Sequence, residues 1–281
     1  MIRHIEASDI TSLVERLCIE ANCVISKDIE QCFLRAKQTE KSPLGREIIG
    51  TLLRNAEIAR STMAPICQDT GMTVVFVEMG QNIHINGGFM EDAINEGVRQ
   101  GYQKGYLRKS VVRDALLREN TGDNTPAIIH YEIVPGDVFR ITVSPKGFGS
   151  ENKSDLQMLT PAQGIPGIKK VVLDTVSHAG ANPCPPIIVG VGIGGTMEKA
   201  ALMAKKALLR PVGQHSERED IAKLEEELLD EINKLGIGPA GFGGSTTAMA
   251  VNIITGPTHI AGLPVAVNIG CHVTRHAEGS I

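Results

Sequence analysis

Apolar residues recur at helical spacing through the first sixty or so positions. Ile10, Leu13, Val14, Leu17, Cys18 and Ala21 fall on one helical face, and Asp9 is placed to cap it. Ile29, Cys32, Phe33 and Ala36 repeat the pattern in a second helix. Ser42-Pro43, a capping side chain before a first-turn proline, opens a third with Ile48, Ile49, Leu52, Leu53 and Ala56. Residues 1–62 read as a helical segment.

The pattern then changes. Short apolar runs predict strands over 73–77, 138–143, 187–191, 247–254 and 264–269. Helical periodicity predicts helices over 89–104 and 168–178, and a third from a Thr196 cap to about 209. Ser216-Glu217-Arg218-Glu219 reads as a capping box for a charged helix ending near 235. Between these lie polar, glycine- and proline-bearing loops at 64–71, 144–153, 182–186, 236–244 and 270–272. Helices first and mixed elements afterwards predict an α+β fold. The expectation is one domain over 1–281, with 63–281 forming a mixed α/β part that carries the loops.

Composition narrows the function classes. With 281 residues the chain can bury a sizeable core, and with 3% aromatics and no Trp that core must be aliphatic. A net charge of -4 lacks the basic excess of a nucleic-acid-binding surface. No apolar run approaches membrane-spanning length and no signal peptide is legible, so the expected compartment is the cytoplasm. Six cysteines in that compartment point to metal, catalysis or burial rather than disulfides.

The cysteines divide into two kinds. Cys18 and Cys32 lie on the apolar stripes of predicted helices and Cys23 lies between those helices, as small buried hydrophobes do. Cys67, Cys184 and Cys271 each sit alone in a Gly-, Pro- or polar-rich loop beside a strand-like run. Their separations, 117 residues (67 to 184) and 87 residues (184 to 271), exclude a local zinc knuckle. Three thiolates suit a cubane iron–sulfur cluster with one iron free of protein ligands. Zinc held by Cys together with His259 or His272 is the rival on spacing alone.

Cys67-Gln68-Asp69-Thr70-Gly71, Gly149-Ser150-Glu151-Asn152-Lys153, Asn182-Pro183-Cys184-Pro185-Pro186 and Gly270-Cys271 resemble four signatures of the class I, iron–sulfur-dependent fumarate hydratases and the related tartrate dehydratases. Their order and spacing fit as well, and the resemblance covers nearly the whole chain. It matches the α subunit, or N-terminal half, of that family. The resemblance implies a hydro-lyase with a 4Fe-4S cluster on Cys67, Cys184 and Cys271, whose open iron acts as a Lewis acid. It implies a β-type partner subunit, with α2β2 the expected assembly, and a small dicarboxylate substrate. Cys271 lies ten residues before the end of the sequence, which leaves room for such a partner surface. The loops at 149–153, 243–247 and 258–262 look more like the fumarase branch, which implies reversible hydration of fumarate to (S)-malate, a tricarboxylic acid cycle reaction. L-tartrate dehydration is the alternative.

Hydration across a carbon–carbon double bond needs an acid–base group and donors for two carboxylates. Asp69, two residues from Cys67, is the acid–base candidate; an Asx-turn is the structural alternative for Asp-Thr-Gly. His259 is a second catalytic candidate, and a satisfied loop histidine otherwise. Arg108 can grip a carboxylate through a bidentate fork. Gln68, Gly149, Asn152 and Lys153 resemble substrate contacts. The family's opposite proton-transfer group is a Thr of the β half.

Two other readings stand beside this one. Gly190-Val191-Gly192-Ile193-Gly194-Gly195 fits a dinucleotide fingerprint, but lacks the acidic residue at the end of a second strand that such a site needs. Tight packing of a helix on a strand fits it better. A non-enzymatic iron–sulfur sensing module would be expected to have a fourth Cys ligand in a comparable loop.

Overall fold

In the computed structural model, which describes residues 2–281, the chain opens with a short strand, β1 (Arg3–Glu6). Three helices follow: α1 (Ala7–Cys23), α2 (Lys27–Thr39) and α3 (Pro43–Thr62). Then come β2 (Met72–Gly80), β3 (Ile83–Asn86), α4 (Met90–Lys104), β4 (Ile128–Val134), β5 (Phe139–Lys146), a single helical turn α5 (Phe148–Glu151) and β6 (Asp155–Leu159). The last stretch holds α6 (Gly164–Ala179), β7 (Ile187–Gly195), α7 (Met197–Ala207), α8 (Glu219–Lys234), β8 (Ala248–Thr258), β9 (Leu263–Gly270) and β10 (Ala277–Ser280). The fold is α+β, as the pattern predicted. No described helix is long and apolar enough to cross a membrane.

The chain forms two compact units. One comprises residues up to Ser26, Asn55–Phe148 and Arg275–Ile281; the other comprises Lys27–Arg54 and Gly149–Thr274.

The first unit is built on a four-stranded sheet in the order β10-β5-β2-β4, with a separate parallel pair β1-β3. β2 runs antiparallel to β5 and parallel to β4. Helices α1 and α4 join this core through Ile10, Val14, Leu17, Ile94, Val98 and Tyr102, against Val75, Val77, Ile141 and Val143. Each such aliphatic side chain contributes about 1.5–3 kcal/mol through burial. The helices approach closely because α4 presents glycine: a Cβ on Gly97 would lie 2.7 Å from the Thr11 carbonyl oxygen.

The second unit holds a sheet in the order β6-β9-β7-β8, where β7 is parallel to β8 and antiparallel to β9. Alternation along β7 assigns its two faces. Ile187, Val189, Val191 and Ile193 pack with α6 and α8 residues such as Val172, Val176, Leu224 and Leu228. Gly190 and Gly192 face α7, whose backbone comes so near that a Cβ on Gly192 would lie 2.0 Å from the Ala200 carbonyl oxygen. The fingerprint-like glycines are thus packing residues inside a strand.

Several local expectations need correction. The N-terminal segment is not wholly helical, because Arg3–Glu6 pairs with Ile83–Asn86. Asp9 does not cap α1; it lies in the first turn, where a carboxylate favours the positive end of the helix dipole. Ser216 does not build a capping box, since α8 begins at Glu219 and the Ser216 hydroxyl accepts from the Arg218 N–H at 3.3 Å. Thr196 occupies the cap position of α7, but its hydroxyl donates to Glu198. Ser42 does cap α3, accepting from Gly45 N–H at 3.2 Å. The run at 144–153 is not all loop: β5 continues to Lys146, and α5 makes one turn after it.

The Gly192 contact gives a direct stability test. Gly192→Ala must push α7 away from β7, at a cost of roughly 1–3 kcal/mol by analogy with overpacked cores. Urea unfolding of the variant against the parent protein measures it; an unchanged midpoint would show that the helix can shift freely.

Candidate active-site loops

Cys67 in the first unit follows a tightly held residue. Ile66 donates its N–H to the Asn22 carbonyl at 3.0 Å and accepts from the Asn55 side chain at 2.9 Å. Beyond Cys67, three successive carbonyls turn inward and each receives a side-chain donor. Arg275 Nη2 donates to the Asp69 oxygen. The Tyr102 hydroxyl lies 2.7 Å from the Thr70 oxygen and 3.1 Å from that of Gly71, and Asn124 Nδ2 donates to Gly71 at 3.2 Å. Burial pushes the Tyr102 phenol up, so it remains a neutral donor. Gly71 adopts a φ of 76°, and a Cβ there would sit 2.7 Å from the Lys146 backbone, so only glycine fits.

The Asp69 carboxylate is held by backbone on both oxygens. Oδ1 accepts from Gly71 N–H and Oδ2 from Phe148 N–H, each at 3.0 Å. The first contact is the Asx-turn anticipated from Asp-Thr-Gly. Arg108 joins the same loop through its backbone, accepting from the Thr70 hydroxyl at 2.9 Å, while its side chain is exposed. Gln68 is exposed.

In the second unit, four loops gather at one end of the sheet, the end where β7 and β8 begin and β9 finishes. Cys184 lies just before β7, in a turn closed by its N–H to the Ala181 oxygen at 3.0 Å, and has a φ of 54°. Cys271 lies just after β9, and its carbonyl accepts from Thr274 N–H and the Thr274 hydroxyl. His272 joins the two cysteine loops. Its N–H donates to the Cys184 oxygen at 3.2 Å, and Nδ1 lies 3.0 Å from the same oxygen. A carbonyl can only accept, so that ring contact requires the proton on Nδ1.

The 149–153 segment reaches the same end, because β6 starts there. A Cβ on Gly149 would lie 3.6 Å from the Asn182 oxygen, two residues before Cys184. Glu151 anchors the segment by accepting from Lys205 Nζ at 2.7 Å and Asn268 Nδ2 at 2.8 Å. Asn152 is exposed and Lys153 half-buried. The 243–247 segment is clamped by Glu40, whose carboxylate accepts from the N–H groups of Ser42 and Ser245.

His259 is placed elsewhere. It occupies an exposed turn between β8 and β9, where Nδ1 accepts from Ala261 N–H at 3.2 Å. The eight residues of β9, roughly 27 Å of strand, separate this turn from Cys271. Within this unit, Cys184, Cys271 and Gly149 come together and His259 does not join them. His272, bonded to Cys184, is the histidine that does. Its position next to Cys271 was the one available signal in the sequence.

All six cysteines are free thiols. Burial pushes Cys18, Cys23 and Cys32 up, which keeps them protonated. Cys184 is exposed, and Cys67 and Cys271 are half-buried. Among the described residues no three His, Cys, Asp or Glu side chains form a group around a single metal ion. Three thiols outside the core are the donor set that a cubane takes, one to each of three irons.

The family model described as Fumarate hydratase (Fumerase) matches residues 11–280. The chain is 42% identical over 275 residues to the putative L(+)-tartrate dehydratase subunit alpha of Methanocaldococcus jannaschii, covering 95% of this chain and 96% of that one. It is 32% identical over 270 residues to the L(+)-tartrate dehydratase subunit alpha of Escherichia coli strain UTI89, covering 95% and 88%.

Glu40 makes the clamp on 243–247 pH-dependent. Burial alone would raise its carboxyl, but the N–H groups of Ser42 and Ser245 and the hydroxyls of Thr246 and Ser245 hold it below its ordinary 4.5. A depressed folded value stabilises the protein above 4.5, and that contribution fades as pH falls through the folded value. Glu40→Gln should therefore cost about 1–3 kcal/mol at pH 7 and progressively less below pH 4.5. Urea midpoints for both proteins across that range provide the measurement, and a pH-independent gap would refute the carboxylate's role.

Proposed function

The chain belongs to the fumarate hydratase (Fumerase) family of hydro-lyases, and on that premise we propose that it is an α-type subunit catalysing reversible hydration of fumarate to (S)-malate. Its relatives are named as alpha subunits, which supports a separate β-type partner, assembled as α2β2, for this chain as well. The proposed ligands of a 4Fe-4S cluster are Cys67, Cys184 and Cys271. A reducing compartment such as the cytoplasm suits three accessible thiols. The observation that carries the reading is the fastening of the Cys184 and Cys271 loops to each other through His272, at the sheet end where 149–153 also arrives.

When bound, the cluster supplies a Lewis-acidic iron for a substrate oxygen. The protein's own groups do the rest. Asp69 exchanges the proton at the carbon next to a substrate carboxylate; two backbone N–H groups fix its carboxylate while leaving lone pairs free. Arg108 offers an exposed guanidinium fork to one carboxylate. Gln68, Gly149, Asn152 and Lys153 supply further donors, and the β-type subunit contributes the opposite proton-transfer group. His259 is proposed as a second catalytic group, although within its own unit it lies at the far end of the sheet from Cys271.

L(+)-tartrate is the second reading, favoured by the names of both relatives. The words at 149–153 and 243–247 favour fumarate. Anaerobic reconstitution with iron, sulfide and the candidate β-type subunit separates the two, with fumarate and tartrate loss followed in parallel. Fumarate hydration that needs the partner and vanishes in Cys184→Ser supports the proposal. A four-iron protein active only on tartrate moves the substrate, and a chain that takes up zinc but no iron ends the cluster reading. Asp69→Asn should lower kcat about 10²–10⁴-fold with cluster absorption unchanged.

A further inference from the structure

Arg275 is buried at 5% exposure, with most of its guanidinium left unbonded. One nitrogen donates to the Asp69 carbonyl, while Nε and Nη1, both buried, lack any hydrogen-bond partner. A guanidinium cannot shed its proton in a protein, so this is a permanent cation removed from water. Such a charge is costly unless an anion balances it. Cys23 and Tyr102 both feel its charge, and burial keeps both in their neutral, protonated forms. Neither supplies the missing negative charge.

The placement indicates what does. Arg275 bonds the backbone two residues beyond Cys67, and in the sequence it follows Cys271 by four residues. A 4Fe-4S cluster on three thiolates is a net anion, since three thiolates outweigh the dicationic core. We infer that Arg275 is a positioning residue that balances this anionic cluster with its unpaired guanidinium while fixing the Asp69 backbone. The inference rests on the cluster reading given above. It assigns Arg275 no contact with substrate.

The test separates charge from hydrogen bonding. Arg275→Gln keeps a donor for the Asp69 carbonyl but loses the charge; Arg275→Lys keeps the charge but loses the fork. Each full-length protein is reconstituted anaerobically with iron and sulfide. Four quantities are read: iron and sulfide per chain, visible absorption lost to a chelator, the cluster's midpoint potential, and the Tm of the cluster-free protein. Arg275→Gln should lose its cluster about 10–100-fold faster, as disruption beside a metal site usually does. Its potential should shift negative, because removing a cation disfavours the added electron, and its cluster-free Tm should hold or rise. Arg275→Lys should keep a potential near that of the parent. Equal potentials and equal cluster loss in all three proteins, or a Gln variant whose cluster-free Tm falls as far as its loaded Tm, would overturn the inference and leave the cluster reading intact. A parent protein that takes up no four-iron cluster would overturn both. Should Arg275→Gln not fold, the comparison of Arg275→Lys with the parent decides alone: a large negative shift in potential despite the retained charge would refute charge balance.

Discussion

Three inward-turned carbonyls, those of Asp69, Thr70 and Gly71, set the terms for the first unit's Cys67 loop. A buried carbonyl outside regular structure must find a donor or incur its full desolvation cost. Here each finds a side chain: Arg275, Tyr102 and Asn124. The donors come from α4, from the run before β4 and from the run before β10. The loop therefore has the geometry of a framework element although its backbone repeats nothing. That rigidity would serve the acid–base role proposed for Asp69, because proton transfer depends on placement before it depends on acidity. The Asx-turn at Asp69 is part of the same device. A side chain tied to its own loop keeps its direction when substrate arrives.

The second unit meets the same demand differently. Its loops hang from strand ends, so the sheet fixes their origins and short bonds fix their tips. β7 can take its central place only because Gly190 and Gly192 let α7 lie against the sheet. The bulk of Ile187, Val189 and Val191 is all on the opposite face. Cys184 and Cys271 then emerge from adjacent antiparallel strands at the same level, and His272 needs only one residue's reach to join them.

This division explains what the sequence disclosed. Helices with a continuous apolar stripe, such as α1, α2 and α4, were legible because one face repeats every three to four residues. The strands β1, β3, β4, β6 and β10 were not legible. β10 reads Ala-Glu-Gly-Ser and has no strand pattern; it exists because β5 offers it an edge. β7 looked like a strand that stops at a glycine turn, since the cause of its glycines lies on another element. The three loop cysteines stood out by local context. Their anchors did not, because the bonds span 32 residues for Tyr102, 88 for His272 and 206 for Arg275. His259 was legible as a histidine in a glycine-bearing turn, while its position at the opposite end of β9 from Cys271 was not, because strand direction decides it.

One residue type carries two fates here, and burial decides between them. Cys18, on the α1 stripe, is fully enclosed beside Glu15, and both burial and that carboxylate favour the protonated thiol. Metal binding requires the thiolate, so such a cysteine cannot compete for iron whatever its availability in the cell. Cys67, Cys184 and Cys271 lie outside the core because their loops are irregular, and irregular backbone is expensive to keep in place. The glycines with positive φ, the inward carbonyls and the long-range side-chain donors all serve one end: to hold the thiols proposed as ligands outside the core without letting them move.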